Sequence, residues 1–99
     1  MKRILEKTIT DLFHRRYYRA RNSWRRNTFL GFPILQCPFD MQIYQELVFR
    51  TRPAAIVQTG IAYGGSLLYF ASLLDLIAAP KEALVIGIDI APTKEAAAL

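Results

Sequence analysis

Three glycines, Gly60, Gly64 and Gly65, fall directly after a short apolar run, and Asp89 ends the next one. A glycine turn lets backbone pass close to a ligand with no side chain intervening. The amides that open a following helix carry partial positive charge. An ionised carboxylate at the end of the neighbouring strand can accept from both hydroxyls of a ribose. In an open parallel sheet ligands bind outside the carboxyl ends of the strands, so both features point at one crevice. This is the first half of a nucleotide-type cofactor pocket. The spacing departs from G-x-G-x-x-G because Ala62 stands where the second glycine belongs, which makes a pyrophosphate the poorer ligand. Gln58, polar within an apolar strand, needs a hydrogen-bond partner and is expected to anchor the turn. Tyr63 is placed to stack on a ligand or to fill space.

Positioning these groups takes a strand, a turn, a helix and a second strand. Residues 54–59 and 84–90 are short and rich in Ile and Val, as buried parallel strands are. Ser66 or its neighbours open a helix that runs to about Ala78, and the turn at Pro80 closes it. Upstream, Asp40 is expected to cap a helix whose buried face is Met41, Ile43, Tyr44, Leu47 and Val48, and Pro53 ends that helix at Arg52. Residues 27–39, with Gly31, Pro33 and Pro38 among apolar side chains, read as an ordered connection covering the core. Residues 3–20 read as a helix with Ile4, Leu5, Ile9, Leu12, Phe13 and Tyr17 at three- and four-residue spacing. Pro92 and Thr93 look like the start of a further helix.

Ninety-nine residues, 53% hydrophobic and 12% aromatic, suffice for one small core. Two strands do not complete a doubly wound sheet, so the chain reads as the N-terminal portion of a larger enzyme. The net charge of +5 is uneven. Residues 1–30 hold nine Lys or Arg against Glu6 and Asp11, giving +7, and the remainder sums to −2. The basic arm could meet anionic lipid, the enzyme's own body or nucleic acid; nucleic acid is disfavoured because no recognised motif accompanies the charges. Single Cys37 and single His14 exclude a disulfide framework and leave no zinc cluster, and Cys37 beside Pro38 reads as a small buried apolar group. The charge-free residues 53–74 have the length of a membrane span, but Pro53 and three glycines break them into strand and turn. No signal peptide is legible, and a cytoplasmic setting is expected.

Gly31-Phe32-Pro33, Cys37-Pro38-Phe39-Asp40 leading to Ile43-Tyr44-Gln45-Glu46, Thr59-Gly60, Gly64-Gly65-Ser66 and Ile86-Gly87-Ile88-Asp89-Ile90 together resemble the cephalosporin hydroxylase/rhamnosyl O-methyltransferase family. The resemblance spans residues 24–91. It implies a Rossmann-like α/β domain, present here in its N-terminal portion, and divides the chain into a basic helical arm, 1–30, and an incomplete S-adenosylmethionine-binding domain, 31–99. It further implies methyl transfer to a hydroxyl of a sugar, glycolipid or other natural-product acceptor, allows a divalent metal such as magnesium in the whole enzyme, and leaves assembly into a homo-oligomer open. Carried over by position, Gly60, Gly64, Gly65 and Ser66 line the methionine end of the cofactor with Gln58 and Tyr63 beside them, and Asp89 holds the ribose. The family usually has an acidic residue at Gln58, often His at Tyr63 and commonly Lys at Gln36. No catalytic residue is assigned, because the expected base and any metal carboxylates belong to later strands.

Overall fold

A computed structural model describes residues 1–99. Helix α1, Lys2–Arg19, leads through a 3₁₀ turn, Trp24–Arg26, into a two-residue-strand hairpin of β1, Thr28–Phe29, and β2, Phe32–Pro33. Helix α2, Pro38–Thr51, follows; then strand β3, Ala55–Thr59, helix α3, Gly65–Leu76, strand β4, Leu84–Ile88, and a short helix α4, Lys94–Ala97. Strands β3 and β4 pair in parallel, with Val57 opposite Ile86 and Gln58 opposite Gly87. The helix–strand order matches the sequence expectation; the hairpin is an addition, since residues 27–39 read as an ordered connection without strands. Leu30 and Gly31 both take positive φ, 51° and 80°, which is the backbone of a two-residue hairpin turn. Leucine rarely adopts that conformation, so the residue types gave only half the signal.

The expected Asp40 cap is also corrected. Helix α2 starts at Pro38 with Cys37 as its N-cap, and no side chain bonds the free amides. Pro38 is pre-organised for the first helical position, and the cap lies three residues upstream of Asp40. Asp40 sits in the first turn, where its charge favours the amino end. Pro53 ends the helix as expected. Arg52, denied the helical well by that proline, takes a left-handed backbone at φ 45° and donates from Nη2 to the Ile77 carbonyl, 2.7 Å away.

Helix α3 covers one face of the sheet. A Cβ on Gly87 would lie 2.6 Å from Leu67 and 2.9 Å from Ile61, so the glycine in β4 is what lets helix and turn close on the strand. Tyr69 links this layer to the others: its hydroxyl donates to the Met41 carbonyl of α2, and its ring meets Phe29 of the hairpin edge-on at 5.2 Å. Burial raises the pKa of that hydroxyl.

The core is smaller than the composition suggests. Ten of 99 residues are buried, among them Ile34, Cys37, Val48, Ile61, Tyr69 and Leu74. Of the expected α2 face, Val48 alone is buried, while Ile43 and Leu47 are exposed. The sheet's second face is open as well: Val57, Leu84, Ile86 and Ile88 lie on the face opposite Val85 and Gly87 and are exposed. A parallel sheet normally has both faces covered. Helix α1 projects, so the radius of gyration is 15.8 Å against about 13 Å for a compact chain of this length. No helix is long and apolar enough to cross a membrane.

Candidate cofactor site

The turn after β3 is held at both ends. Gly60 takes φ 73°, and its amide donates to the Ile88 carbonyl at 2.8 Å, continuing the ladder one step past the strand. Gln58 fixes the same stretch from within β3: its Oε1 accepts from Ser66 Oγ at 2.8 Å, and its Nε2 donates to the Gly60 carbonyl at 3.2 Å. The polar residue in the apolar strand is thus satisfied, and it joins the strand end to the first turn of α3.

Asp89 closes the corner from the opposite side. Its Oδ2 accepts from the Ile61 amide at 3.0 Å, and its Oδ1 from the Ala91 amide at 2.9 Å. The Ala91 and Ile61 amides hold its pKa below the usual aspartate value, so it is ionised at neutral pH. A carboxylate has about four acceptor positions. The Ala62 amide also lowers its pKa, and the carboxylate keeps capacity for a further donor.

The three glycines do different work. A Cβ on Gly60 would meet nothing, so that backbone borders open space. Gly64, at φ 86°, is the N-cap of α3, and a Cβ there would press on Ala96 of α4. Gly65 is packed against β2: a Cβ would fall on the Pro33 carbonyl. Two of the three therefore let other backbone close on the turn. Sequence reasoning missed Pro33 and Ala96 as neighbours, because nothing in local spacing reports which distant segment fills a glycine's vacancy.

Between β2 and the turn lies a narrow cleft of about 50 Å³, bordered by Gln36, Gln58, Gly60, Tyr63 and Ser66. It adjoins a hollow of about 330 Å³ along the free edge of β3, where Tyr44 and Phe70 form the wall. The structure thus brings Gln58, Gly60, Tyr63 and Ser66 together, with Asp89 bonded to the same turn through Ile61. Tyr63 is 41% exposed. Thr93, another residue not assigned to the site, caps α4 by accepting from the Ala96 amide and donates to the Ala62 carbonyl, both at 3.1 Å, which clips α4 to the turn.

Parallel strands with a glycine turn at the end of one and an ionised, amide-bonded carboxylate at the end of the other define the cofactor-holding half of a Rossmann-like domain. Residues 21–98 match the family model described as Rhamnosyl O-methyltransferase/CmcI, and the chain belongs to that family. It is similar to the rhamnosyl O-methyltransferase of Mycobacterium tuberculosis, 30% identical over 78 residues, covering 79% of this chain and 31% of the relative. The rhamnosyl O-methyltransferase of Mycobacterium leprae (strain TN) is 31% identical over 81 residues, covering 82% and 35%. A solved structure described as cmcI-N160 SAH superposes with a TM-score of 0.61 at 28% identity, over 76% of this chain and 40% of that one. The chain spans about a third of the length of these curated relatives.

Proposed function

We propose that this chain is the S-adenosylmethionine-binding portion of an O-methyltransferase acting on a hydroxyl of a sugar, glycolipid or related natural-product acceptor. The observation that carries the reading is Asp89 at the end of β4, ionised and bonded through backbone amides to the glycine turn. The family, the names of its rhamnosyl relatives and the SAH recorded for the CmcI structure support it.

The residues present fit such a cofactor. Open space beside Gly60 and the cleft at Gln58, Tyr63 and Ser66 suit the methionine end, while Gly64 and Gly65 shape the turn and Asp89 takes the ribose. When bound, S-adenosylmethionine supplies an electrophilic methyl group. What the chain contributes is position and electrostatics: Asp89 orients the ribose through charge-assisted bonds, and the turn fixes the approach to β3. Gln58 offers no negative charge to the cofactor's ammonium group.

The division into an arm, 1–30, and a cofactor-binding region, 31–99, belongs to the same proposal, as do a cytoplasmic setting and assembly with further copies. No three His, Cys, Asp or Glu side chains converge within the chain, so a magnesium ion in the whole enzyme would need carboxylates from other segments. The base that deprotonates the acceptor is assigned, with the family pattern, to segments outside these residues, and residues 1–99 alone are expected to transfer no methyl group.

The test is calorimetric titration of S-adenosylmethionine into the chain and into a chimera carrying residues 21–98 in place of the matched segment of the CmcI relative. The chimera should bind, and Asp89→Asn, which keeps an acceptor for Ile61 but drops the charge, should weaken binding about tenfold or more. A folded chimera without affinity, or one indifferent to Asp89→Asn, would overturn the reading.

A further inference from the structure

We propose that α1 and the adjoining Phe39 corner form a docking face for an anionic lipid surface. The inference does not depend on the cofactor reading.

Helix α1 contains no buried residue. Leu5, Ile9 and Leu12, at spacings of four and three, lie along one side, each 59% exposed, with Phe13 beside them. Phe39, at the start of α2 and 60% exposed, extends this strip; its ring lies 5.8 Å from that of Phe13. A shallow hollow of about 420 Å³ runs between them, walled by Ile9, Thr10, Phe13, His14 and Phe39. Cations lie at both ends of the strip and along one flank: Lys2 and Arg16 continue its line, Arg19 and Arg15 lie beside it, and Arg3 and Lys7 fall on the far side of the helix. Lys2, Arg3, Lys7, Arg15, Arg16 and Arg19 against Glu6 and Asp11 give the helix alone +4, and Arg21, Arg25 and Arg26 continue the charge into the next turn. An exposed apolar strip flanked by Lys and Arg suits the boundary between acyl chains and anionic headgroups.

The face is presented at a fixed angle. Ser23 Oγ donates to the Ala20 carbonyl at 2.8 Å, Trp24 Nε1 to the Tyr18 carbonyl at 3.1 Å, and Asn27 Nδ2 to both Tyr17 Oη and the Gln36 carbonyl. The carboxyl end of α1 is thereby tied to the hairpin and to the start of α2, while the amino-terminal turns stay clear of the body. The family match begins at residue 21, so α1 lies outside the segment that the family model describes.

Charge decides between occupants. A second copy of α1 would set +4 against +4, and the positions that extend the Leu5–Ile9–Leu12 seam at the same spacing are Lys2 and Arg16, so a helix pair would bury like charges. Nucleic acid would use the cations but leave the apolar strip uncovered.

The test is vesicle sedimentation of the full chain, with sedimentation velocity and an oligonucleotide competitor alongside. Vesicles of one-third phosphatidylglycerol in phosphatidylcholine should retain the chain at least about tenfold better than phosphatidylcholine alone, with loss as salt rises from about 0.1 M to about 0.5 M. Arg15→Glu with Arg16→Glu and Arg19→Glu should reduce retention about tenfold or more, and so should Ile9→Asp with Leu12→Asp, circular dichroism showing that both variants stay folded. Equal retention by neutral vesicles, or retention indifferent to the Ile9 and Leu12 changes, would overturn the proposal. So would displacement by the oligonucleotide with only the arginine changes mattering. A dimer dispersed by Ile9→Asp without vesicle binding would assign the face to a second copy instead.

Discussion

The corner at Asp89 and the helix α1 are opposite kinds of structure built from one short chain. At the corner, three polar side chains are tied to named partners: Asp89 to Ile61 and Ala91, Gln58 to Ser66 and Gly60, Thr93 to Ala62 and Ala96. Along α1, most side chains touch only solvent or the neighbouring turn. Hydrogen-bonded backbone and missing Cβ atoms fix the first region, whereas only its last turn and the segment after it fix the second. Substitutions should therefore be costly at the corner and cheap on the helix, and binding should divide the other way, with small ligands at the corner and an extended surface on the helix.

The sharpest way to break this contrast is Gly65→Ala. Its new methyl would fall on the Pro33 carbonyl, an atom that belongs to backbone and cannot rotate aside, so β2 must move off α3. We expect a loss of about 3 kcal/mol by urea unfolding, against less than about 0.5 kcal/mol for Ile9→Ala on the helix surface. Comparable losses at the two positions would remove the distinction.

A second effect concerns charge at the site. Gln58→Glu retains an acceptor for Ser66, gives up the donor to the Gly60 carbonyl and places an anion beside the cleft. S-adenosylmethionine affinity of the chimera described above should rise about tenfold. Unchanged affinity would mean that the ammonium group does not sit near position 58.

Asp89 connects the site to pH. Its folded pKa is lowered, so the stabilisation it gives is fully present above the unfolded aspartate value of about 3.9 and is lost as pH falls through the lowered folded value. Thermal stability of the chain should decline through that acid window, and the Asp89→Asn variant should show a flatter profile there. Parallel profiles would show that other carboxylates govern acid unfolding.

What the sequence disclosed follows the same division. The β3–turn–α3–β4 order was readable because apolar runs, glycines and Pro80 are local signals, and the position of Asp89 followed from it. The hairpin turn was hidden by Leu30, a residue type that seldom takes positive φ. Helix α2 was misjudged on its buried face because periodicity reports a stripe and not whether a partner exists to cover it. The separate duties of Gly64 and Gly65 depend on Ala96 and Pro33, more than thirty residues away in sequence, and no spacing rule reaches that far.

The smallest effect tests whether the corner is tuned or merely tolerated. Ala62 lies inside the turn at φ 44°, a left-handed backbone that costs a residue with a Cβ roughly 1 kcal/mol, while its carbonyl receives Thr93. Glycine would remove that cost but lose more freedom on folding, by roughly 0.5–1 kcal/mol. The two terms nearly cancel, so Ala62→Gly should change unfolding free energy by no more than about 0.5 kcal/mol. Thr93→Val, which deletes both the α4 cap and the bond to Ala62, should cost about 1 kcal/mol. If Ala62→Gly instead stabilises by more than about 1 kcal/mol, the turn holds strain that Thr93 and Asp89 impose, and the double variant Ala62→Gly with Thr93→Val should then depart from additivity.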